Sequence, residues 1–382
     1  MIGMKILISG AGIAGLTLAY WLKRHGFTPT VIEKSPFLRK GGYKVDVRGV
    51  ALEVAKRMGI YQDLINANVN LVRSKFVTPD LKVFEFEGDI LGLCSEGDIE
   101  VNRWDLAQII AKAVGDIEIV YNDSITKLDE WVHFEKMEPK KFDLVIGADG
   151  LHSKVRKLAF GEDSQFFKEY GIHFCVFPIP NIFDLERSEI VYFDKGKLVT
   201  AYAVKNCSLA CLAFKSEKDK LPRENLKALF EEEFKNSGWE IPRLIDAMKE
   251  SCDCYFDTVA QIRMPTWSNG KVALVGDAAH AASGIGTSFA MVGAYVLARE
   301  IGQCNGDYAT AFARYEISIR KFIEKGQDMA ESNHKVLSNG SSWLIKCQLY
   351  VMKLLPGKCI RLFSQWGRWQ MKKAANAFRL DN

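Results

Sequence analysis

Residues 4–34 read MKILISGAGIAGLTLAYWLKRHGFTPTVIEK, and this stretch decides the fold. An apolar run over 4–9 leads into Gly10-Ala11-Gly12-Ile13-Ala14-Gly15. The residues that follow have helical period, with Gly26 as a stop signal, and the next apolar run, TPTVIEK, ends on Glu33 and Lys34. Strand, glycine turn, helix and strand in such a short span form a βαβ unit. In a G-x-G-x-x-G turn the first glycine permits the tight bend, the second lets a pyrophosphate approach the backbone, and the third lets the helix pack on the strand. The free N–H groups and the positive end of the helix then face the pyrophosphate. Glu33, 18 residues after Gly15, stands where a carboxylate accepts hydrogen bonds from ribose hydroxyls. An acid there disfavours a 2′-phosphate, so the resident dinucleotide is expected to be FAD or NAD, not NADP. Gly10, Gly12, Ala14, Gly15, Glu33 and Lys34 are candidate cofactor contacts; the competing reading is a glycine turn used only for packing.

The chain has 382 residues, which favours two domains or one domain with a large insertion. With 48% hydrophobic and 26% charged residues it has ample core, and its formal charge of +4 gives no reason to expect a nucleic-acid partner. No apolar run long enough for a membrane span is free of charged residues, and the glycines interrupt the apolar N-terminus, so no secretory leader is expected. Nine cysteines without framework spacing suit a reducing compartment, and a cytoplasmic location is expected. Cys207/Cys211 and Cys252/Cys254 read as buried or half-buried thiols rather than metal ligands, because no His lies near them.

Helical and strand patterns alternate through KFDLVIGADG, a continuously apolar run of the kind that forms a buried parallel strand. From about residue 166 the chain becomes β-rich and aromatic; GKVALVGDAAHAA then restores the strand-into-helix pattern. The expected fold is α/β. A Rossmann-like dinucleotide-binding domain is expected to comprise residues 1–165 and 263–325. A β-sheet substrate domain is inserted at 166–262, and a C-terminal helical extension covers 326–382.

Two further motifs carry chemistry. DLVIGADGLHSKVR contains Asp149, Gly150 and Arg156, and VALVGDAAH contains Gly276 and Asp277. In this order, after the first glycine turn, they resemble the fingerprints of flavoprotein monooxygenases of the para-hydroxybenzoate hydroxylase type. The resemblance implies that Asp149 contacts the flavin ribose, that its motif also touches the nicotinamide cofactor, and that Asp277 holds the ribityl chain. Arg103, in VNRWDLAQII, matches the arginine on the adenosine–pyrophosphate side. RKGGYKVDVRGVALEVAKRMGIYQDL, with Gly41, Gly42, Asp46, Arg48 and Gly49, is similar to the tetracycline destructases, in which the residue matching Arg48 lies beside the flavin and a final helix closes over the substrate mouth.

One departure from that pattern is the loop in GDAAHAASGIGTSFAMVGAY, which lacks a proline and is about three residues short by comparison with the destructases. Gly284 and Gly286 are expected near the cofactor, on a looser loop than usual. His280 reads as a structural residue bonded to the backbone, and His152 and His173 carry no catalytic expectation.

The resemblance implies resident FAD and a transient NAD(P)H that delivers hydride. O2 then forms a flavin C4a-hydroperoxide, which oxygenates an electron-rich phenolic or polycyclic substrate, tetracyclines among the candidates. No side-chain nucleophile is required, and apart from a flavin-proximal Arg48 no catalytic residue is expected. A flavin-bound protein that sequesters a ligand is the non-enzymatic alternative. Aromatics of VYF (191–193) and HFCVF (173–177) are expected to face the flavin. The basic, aromatic stretch from Ser341 to Leu380, broken by Pro356-Gly357, has three readings: a cap on the active site, filler for surface grooves, or a helix pair on an anionic membrane surface. A monomer is expected.

Overall fold

The computed structural model describes residues 3–39, 41–88, 97–204, 207–216, 224–339 and 368–380. Its strands are β1 Ile6–Ser9, β2 Thr30–Glu33, β3 Lys44–Val47, β4 Arg73–Val77, β5 Val83–Glu87, β6 Ile99–Asn102, β7 Glu118–Tyr121, β8 Ile125–Leu128, β9 Val132–Phe134, β10 Leu144–Gly147, β11 Phe167–Ile179, β12 Ser188–Asp194, β13 Lys197–Val204, β14 Cys207–Lys215, β15 Tyr255–Ile262, β16 Ser268–Asn269 and β17 Val272–Leu274. The helices are α1 Ile13–Arg24, α2 Val50–Arg57, α3 Tyr61–Ala67, α4 Arg103–Val114, α5 Lys154–Phe160, α6 Leu226–Phe234, α7 Ile241–Glu250, α8 Asp277–His280, α9 Gly286–Gln303 and α10 Tyr308–Asn339.

The first sheet has the order β16-β17-β10-β1-β2-β7 and is parallel except at the β16 edge. Ile8 lies beside Val31 on one side and Ile146 on the other, and Ile146 lies beside Ala273. These strands are apolar throughout because helices cover both faces of a parallel sheet. Helix α9 is buried along most of its length, which explains a sequence that is hydrophobic on nearly every side.

The second sheet has the order β15-β11-β14-β13-β12-β4-β5. Its β4–β5 hairpin comes from residues 73–87, so the division expected at residue 165 does not separate the two sheets in sequence. The boundary expected near 325 falls inside the unbroken helix α10. One face of the second sheet packs on α6 and α7, where Phe230, Phe234, Leu244 and Met248 meet Cys175, Phe177, Leu212 and Phe214. The opposite face, with Val176, Tyr202 and Leu209, turns toward Tyr43 just before β3. Among the described residues no helix is long and apolar enough to cross a membrane.

Lys44 ties the two parts together. Its ammonium lies 3.0 Å from Glu100 on β6 and 3.3 Å from Glu189 on β12, and Glu189 also accepts from the Ser74 hydroxyl at 2.8 Å. Both glutamates are buried, so each carboxylate relies on nearby charge and donors for its compensation. Lys44→Met is expected to destabilise the fold by about 3 kcal/mol, the scale for leaving a buried charge without its partner. Urea unfolding at neutral pH checks this.

Candidate active site in the cleft between the sheets

The ends of β1, β10 and β17 meet at the glycine turns. A methyl group on Gly15 would lie 1.9 Å from the Gly10 carbonyl oxygen, so only glycine lets α1 start this close to β1. Gly10 has φ +105°, and a Cβ there would sit 2.5 Å from the Ala148 carbonyl oxygen. Ala14 serves a similar end: a Cβ on Gly276 would come within 2.7 Å of its methyl. The first and third motifs therefore touch through small residues.

Gly12 faces open space; the nearest atom to a Cβ there would be a guanidinium nitrogen of Arg103, 3.9 Å away. The α1 N-terminus has no side-chain cap and no acid in its first turn, so its N–H groups are left for an anion. Glu33 accepts from the Ala11 N–H at 2.9 Å and from the Ser35 N–H at 2.9 Å, one bond to each carboxylate oxygen. Each oxygen keeps a lone pair for a hydroxyl. This open, cationic cradle with a carboxylate at its end fits the pyrophosphate and ribose of FAD. Lys34, next in sequence, is exposed.

Asp277 lies on the floor of a recess, open to solvent but surrounded by protein. Burial raises its carboxyl above the usual range, Arg103 pulls it down, and Asp257 pushes it up again. Gly286, which opens α9, is so close that a Cβ would lie 3.2 Å from an Asp277 oxygen. Tyr43 stands close enough to feel the Asp277 charge, and its ring packs with those of Phe174 and Tyr255. Tyr43 lies 6.1 Å from Phe174 and 5.6 Å from Tyr255, with 5.9 Å between the other two rings. The Arg39 guanidinium sits 4.7 Å above the Tyr255 ring. Burial pushes the Tyr43 hydroxyl up to about 12, against the pull of Arg103.

Behind this wall the Asp257 carboxylate accepts from the Tyr255 hydroxyl and lies 3.1 Å from His152 Nε2. Desolvation alone would raise the Asp257 carboxyl, but the bonds from His152, Tyr255 and the Thr258 N–H outweigh it and hold the carboxyl below its usual range. Beside the wall lies a cavity of about 220 Å³ lined by Gly41, Trp104, Asp105, Val176, Leu209 and Asp253 among others.

Several sequence-derived candidates have protein partners. Arg156 is fully buried; Nε and Nη2 donate to Asp163, Nη2 to the Leu151 carbonyl and Nη1 to the Ala278 carbonyl, so it clips the second motif to the third. Asp149 caps α5, accepting from the Ser153 hydroxyl and from the N–H groups of Lys154 and Val155. Gly150 follows it on a left-handed turn. Arg48 is buried, with Asp46 at 2.6 Å and Asp98 at 3.6 Å, and its N–H donates to Ser288 on α9.

His280 is the last residue of α8 and not, as expected, a backbone-bonded one by its ring. Its Nε2 lies 3.3 Å from the Tyr315 hydroxyl, and the ring meets Trp267 edge-on at 4.9 Å. Burial drives it down to about 3, so it stays neutral. For Tyr192 of VYF the expectation is corrected: its ring points to the helix-covered face and stacks on Trp239 at 5.3 Å. Phe174, from HFCVF, lies on the opposite face of the sheet, against Tyr43 and Tyr255. Sequence reading missed Tyr43, Tyr255 and Asp257; the aromatic in YKVDVR and the alternation of YFD were the available signals. Cys207 and Cys252, expected to be buried or half-buried, are exposed.

The loop without proline is held by packing. Ile285 is buried against Gly326, and the Ala281 carbonyl accepts from the Ile262 N–H and from Gln327 Nε2, each at 3.3 Å. Gly284 takes a left-handed turn with the Met371 methyl 3.8 Å from where its Cβ would be. Residues 368–375 form a helical segment in which Met371, Ala374 and Ala375 are buried; the Ala375 carbonyl abuts Gly49, and Phe378 packs on Phe322 at 6.0 Å. The rest of the aromatic, basic stretch, with Trp343, Tyr350 and Pro356-Gly357, lies outside the described residues.

A family model for an FAD binding domain matches residues 139–311, and one for an NAD(P)-binding Rossmann-like domain matches residues 8–55. A flavin-dependent monooxygenase of Legionella longbeachae is 35% identical over 338 residues, covering 85% of this chain and 87% of its own. Another flavin-dependent monooxygenase, from an unknown prokaryotic organism, is 38% identical over 337 residues with the same coverage. Among solved structures, the tetracycline destructase Tet(51) matches with a TM-score of 0.86 at 32% identity over 99% of both chains. Tet(55) matches at 0.82 and 33% over 99% of this chain and 98% of its own. Joined to a cleft that fits FAD, these likenesses make the chain a member of the flavin-dependent monooxygenases, with FAD as its cofactor.

Proposed function

We propose that this monooxygenase uses NAD(P)H and O2 to oxygenate a planar, electron-rich polycyclic or phenolic substrate, with tetracyclines as the first candidates. The observation that carries the reading is the aromatic cluster of Tyr43, Phe174 and Tyr255, with Tyr43 within reach of the Asp277 charge, in a chain alike over nearly its whole length to two tetracycline destructases. When bound, FAD supplies hydride acceptance and oxygen activation. Gly12 and the α1 N-terminus hold the pyrophosphate, with Arg103 adding positive charge. Glu33 accepts from ribose hydroxyls and Asp277 from the ribityl chain. The α9 N-terminus at Gly286 would favour negative charge on a flavin held beside it by about 0.3–1 kcal/mol. Arg156, Asp149 and Arg48 act by positioning: they fix the loops and strand ends on which the contacting groups stand. The aromatic wall gives a flat substrate a stacking surface and keeps water from the reacting face.

The test is NADPH oxidation by the FAD-loaded protein with tetracyclines, simple phenols and polyketides in parallel. Substrate-stimulated oxidation with loss of the tetracycline chromophore is expected. Stimulation only by the other substrates moves the assignment to those compounds, and none with any of them, or ligand binding without turnover, overturns the proposal. Phe174→Ala is expected to raise KM about tenfold, the effect of losing roughly 1.4 kcal/mol of ring contact.

Asp277→Asn separates binding from stability. A carboxyl raised by burial disfavours its ionised form in the folded state, so the ionised side chain weakens the apo fold at pH above its folded value. The variant is therefore expected to melt higher than the parent as apoprotein at pH 7. This gain fades as pH falls through the raised folded value and is gone below about 3.9, where the unfolded carboxyl is protonated too. Flavin retention, read from the visible absorbance after gel filtration, is expected to drop. Melting curves from pH 3 to pH 8 check the sign.

A further inference from the structure

A file of hydrogen bonds runs from the second motif into the aromatic cluster. Arg156 donates to the Leu151 carbonyl at 2.7 Å and to the Ala278 carbonyl at 3.0 Å, so His152 and Asp277, the chain neighbours of those two residues, sit on adjoining turns. His152 reaches from its turn to β15. Its Nε2 lies 3.1 Å from Asp257 Oδ1, and its ring stacks on Phe167 with 5.6 Å between centroids. Oδ1 also accepts from the Thr258 N–H at 2.8 Å, which leaves Oδ2 to the Tyr255 hydroxyl. Tyr255 and Asp257 are two residues apart on β15, and Phe174 pairs with Asp257 across the ladder, so all three share one face of the sheet.

This arrangement fixes the position of one proton. A carboxylate at neutral pH has no hydrogen to give, so the Tyr255 hydroxyl is the donor in its bond to Oδ2. The tyrosine oxygen is left with lone pairs only. Among the described residues no group donates to that oxygen, and the Arg39 guanidinium lies over the ring face instead. Tyr255, Tyr43 and Phe174 are each half-buried, so the cluster keeps open surface for a ligand.

Resting on the monooxygenase reading above, we propose that Tyr255 is a specificity-determining residue: its hydroxyl, held as a pure acceptor by Asp257, selects undissociated phenols and enols over their O-methyl ethers and their anions. Asp257 acts through Tyr255, as a positioning residue. A phenol brings the hydrogen that the tyrosine oxygen lacks. A methyl ether brings none and leaves that oxygen unpaired under its ring, and a phenolate sets a negative oxygen against it. Leaving a desolvated acceptor unpaired weakens binding about tenfold. Tyr43 does not discriminate in this way, because its hydroxyl keeps its proton and can donate or accept.

The test is equilibrium dialysis of the full-length, FAD-loaded protein at pH 7, without NADPH, against 1-naphthol and 1-methoxynaphthalene. The naphthol is expected to bind about tenfold more tightly. In Tyr255→Phe the ratio is expected to fall to about one through weaker naphthol binding alone. Asp257→Asn probes the proton itself. The Thr258 N–H and His152 hold the amide oxygen at the Oδ1 position and turn the amide N–H group toward Tyr255, whose own hydrogen then swings to the ligand. Both compounds accept that hydrogen, so the ratio is again expected to fall to about one, this time because the ether gains affinity. A merely loosened site weakens both compounds. Equal affinities in the parent, failure of 1-naphthol to bind, or a preference that survives Tyr255→Phe overturns the proposal. The parent comparison needs no variant and decides the matter even where Asp257→Asn fails to fold. With NADPH absent, the outcome is separate from the oxidation assay: oxidation with equal affinities defeats only the role of Tyr255, and a naphthol preference without stimulated oxidation defeats only the monooxygenase substrate assignment.

Discussion

The cleft depends on three strand ends being allowed to meet with almost nothing between them. Gly15 against the Gly10 carbonyl, Gly10 against Ala148 and Gly276 against Ala14 are contacts at which a larger side chain has no room. Because these positions are small, the α1 N-terminus, the Asp149 turn and the Asp277 turn come together at one end of the parallel sheet. Ligands collect at that end in open α/β sheets, where the helix N-termini point outward. The motif glycines are therefore mostly about backbone meeting backbone; of the three in the first turn, only Gly12 is left open toward a ligand.

Charge in the recess is set by two acids and one arginine. Asp277 feels burial and Asp257 against it, with Arg103 as the opposing cation, and the carboxyl stays raised. Asp257 behaves oppositely because three hydrogen-bond donors surround it. The two acids thus differ in consequence: Asp257 is satisfied by protein and braces Tyr255, while Asp277 retains accepting capacity toward the cleft. The buried arginines sort the same way. Arg156 spends its donors on the protein and holds two motifs together, whereas Arg103 reaches over Gly12.

The first sheet was legible because each of its signals is local. A strand, a glycine turn and a helix start lie within a few residues of one another, and apolar runs such as Leu144–Gly147 have the pattern of a doubly covered parallel sheet. The second sheet resisted reading for two physical reasons. Its β4–β5 hairpin joins β12 across more than a hundred residues, and no local pattern encodes that pairing. Both of its faces are also largely apolar, one against α6 and α7 and the other toward the cleft, so alternation does not say which face is which. Tyr192 and Phe174 look equivalent in sequence, yet one stacks on Trp239 and the other joins the cleft wall. Motif spacing likewise names Asp149 and Arg156 without telling whether their polar groups turn to the ligand or to the chain.

The loop after Asp277 shows how an expected weakness can be offset by distant residues. Proline stiffens a loop by restricting the unfolded chain as well as the folded one. Here the restriction is supplied in the folded state, by Ile285 seated on Gly326 and by Gln327 bonded to the Ala281 carbonyl, both contacts furnished by α10. A long, continuous α10 is thus needed for the loop and not merely for length. The segment 368–375 lies against Gly284 of this loop through Met371 and against Gly49 through Ala375. Gly49 in turn follows Arg48, whose backbone is bonded to Ser288 in the first turn of α9. Loop, helix start, Arg48 strand end and chain terminus therefore form one packed unit. A cavity made at Met371 would loosen the placement of Gly284 and Gly286 before it disturbed either sheet, because those glycines have no side chains of their own with which to hold position.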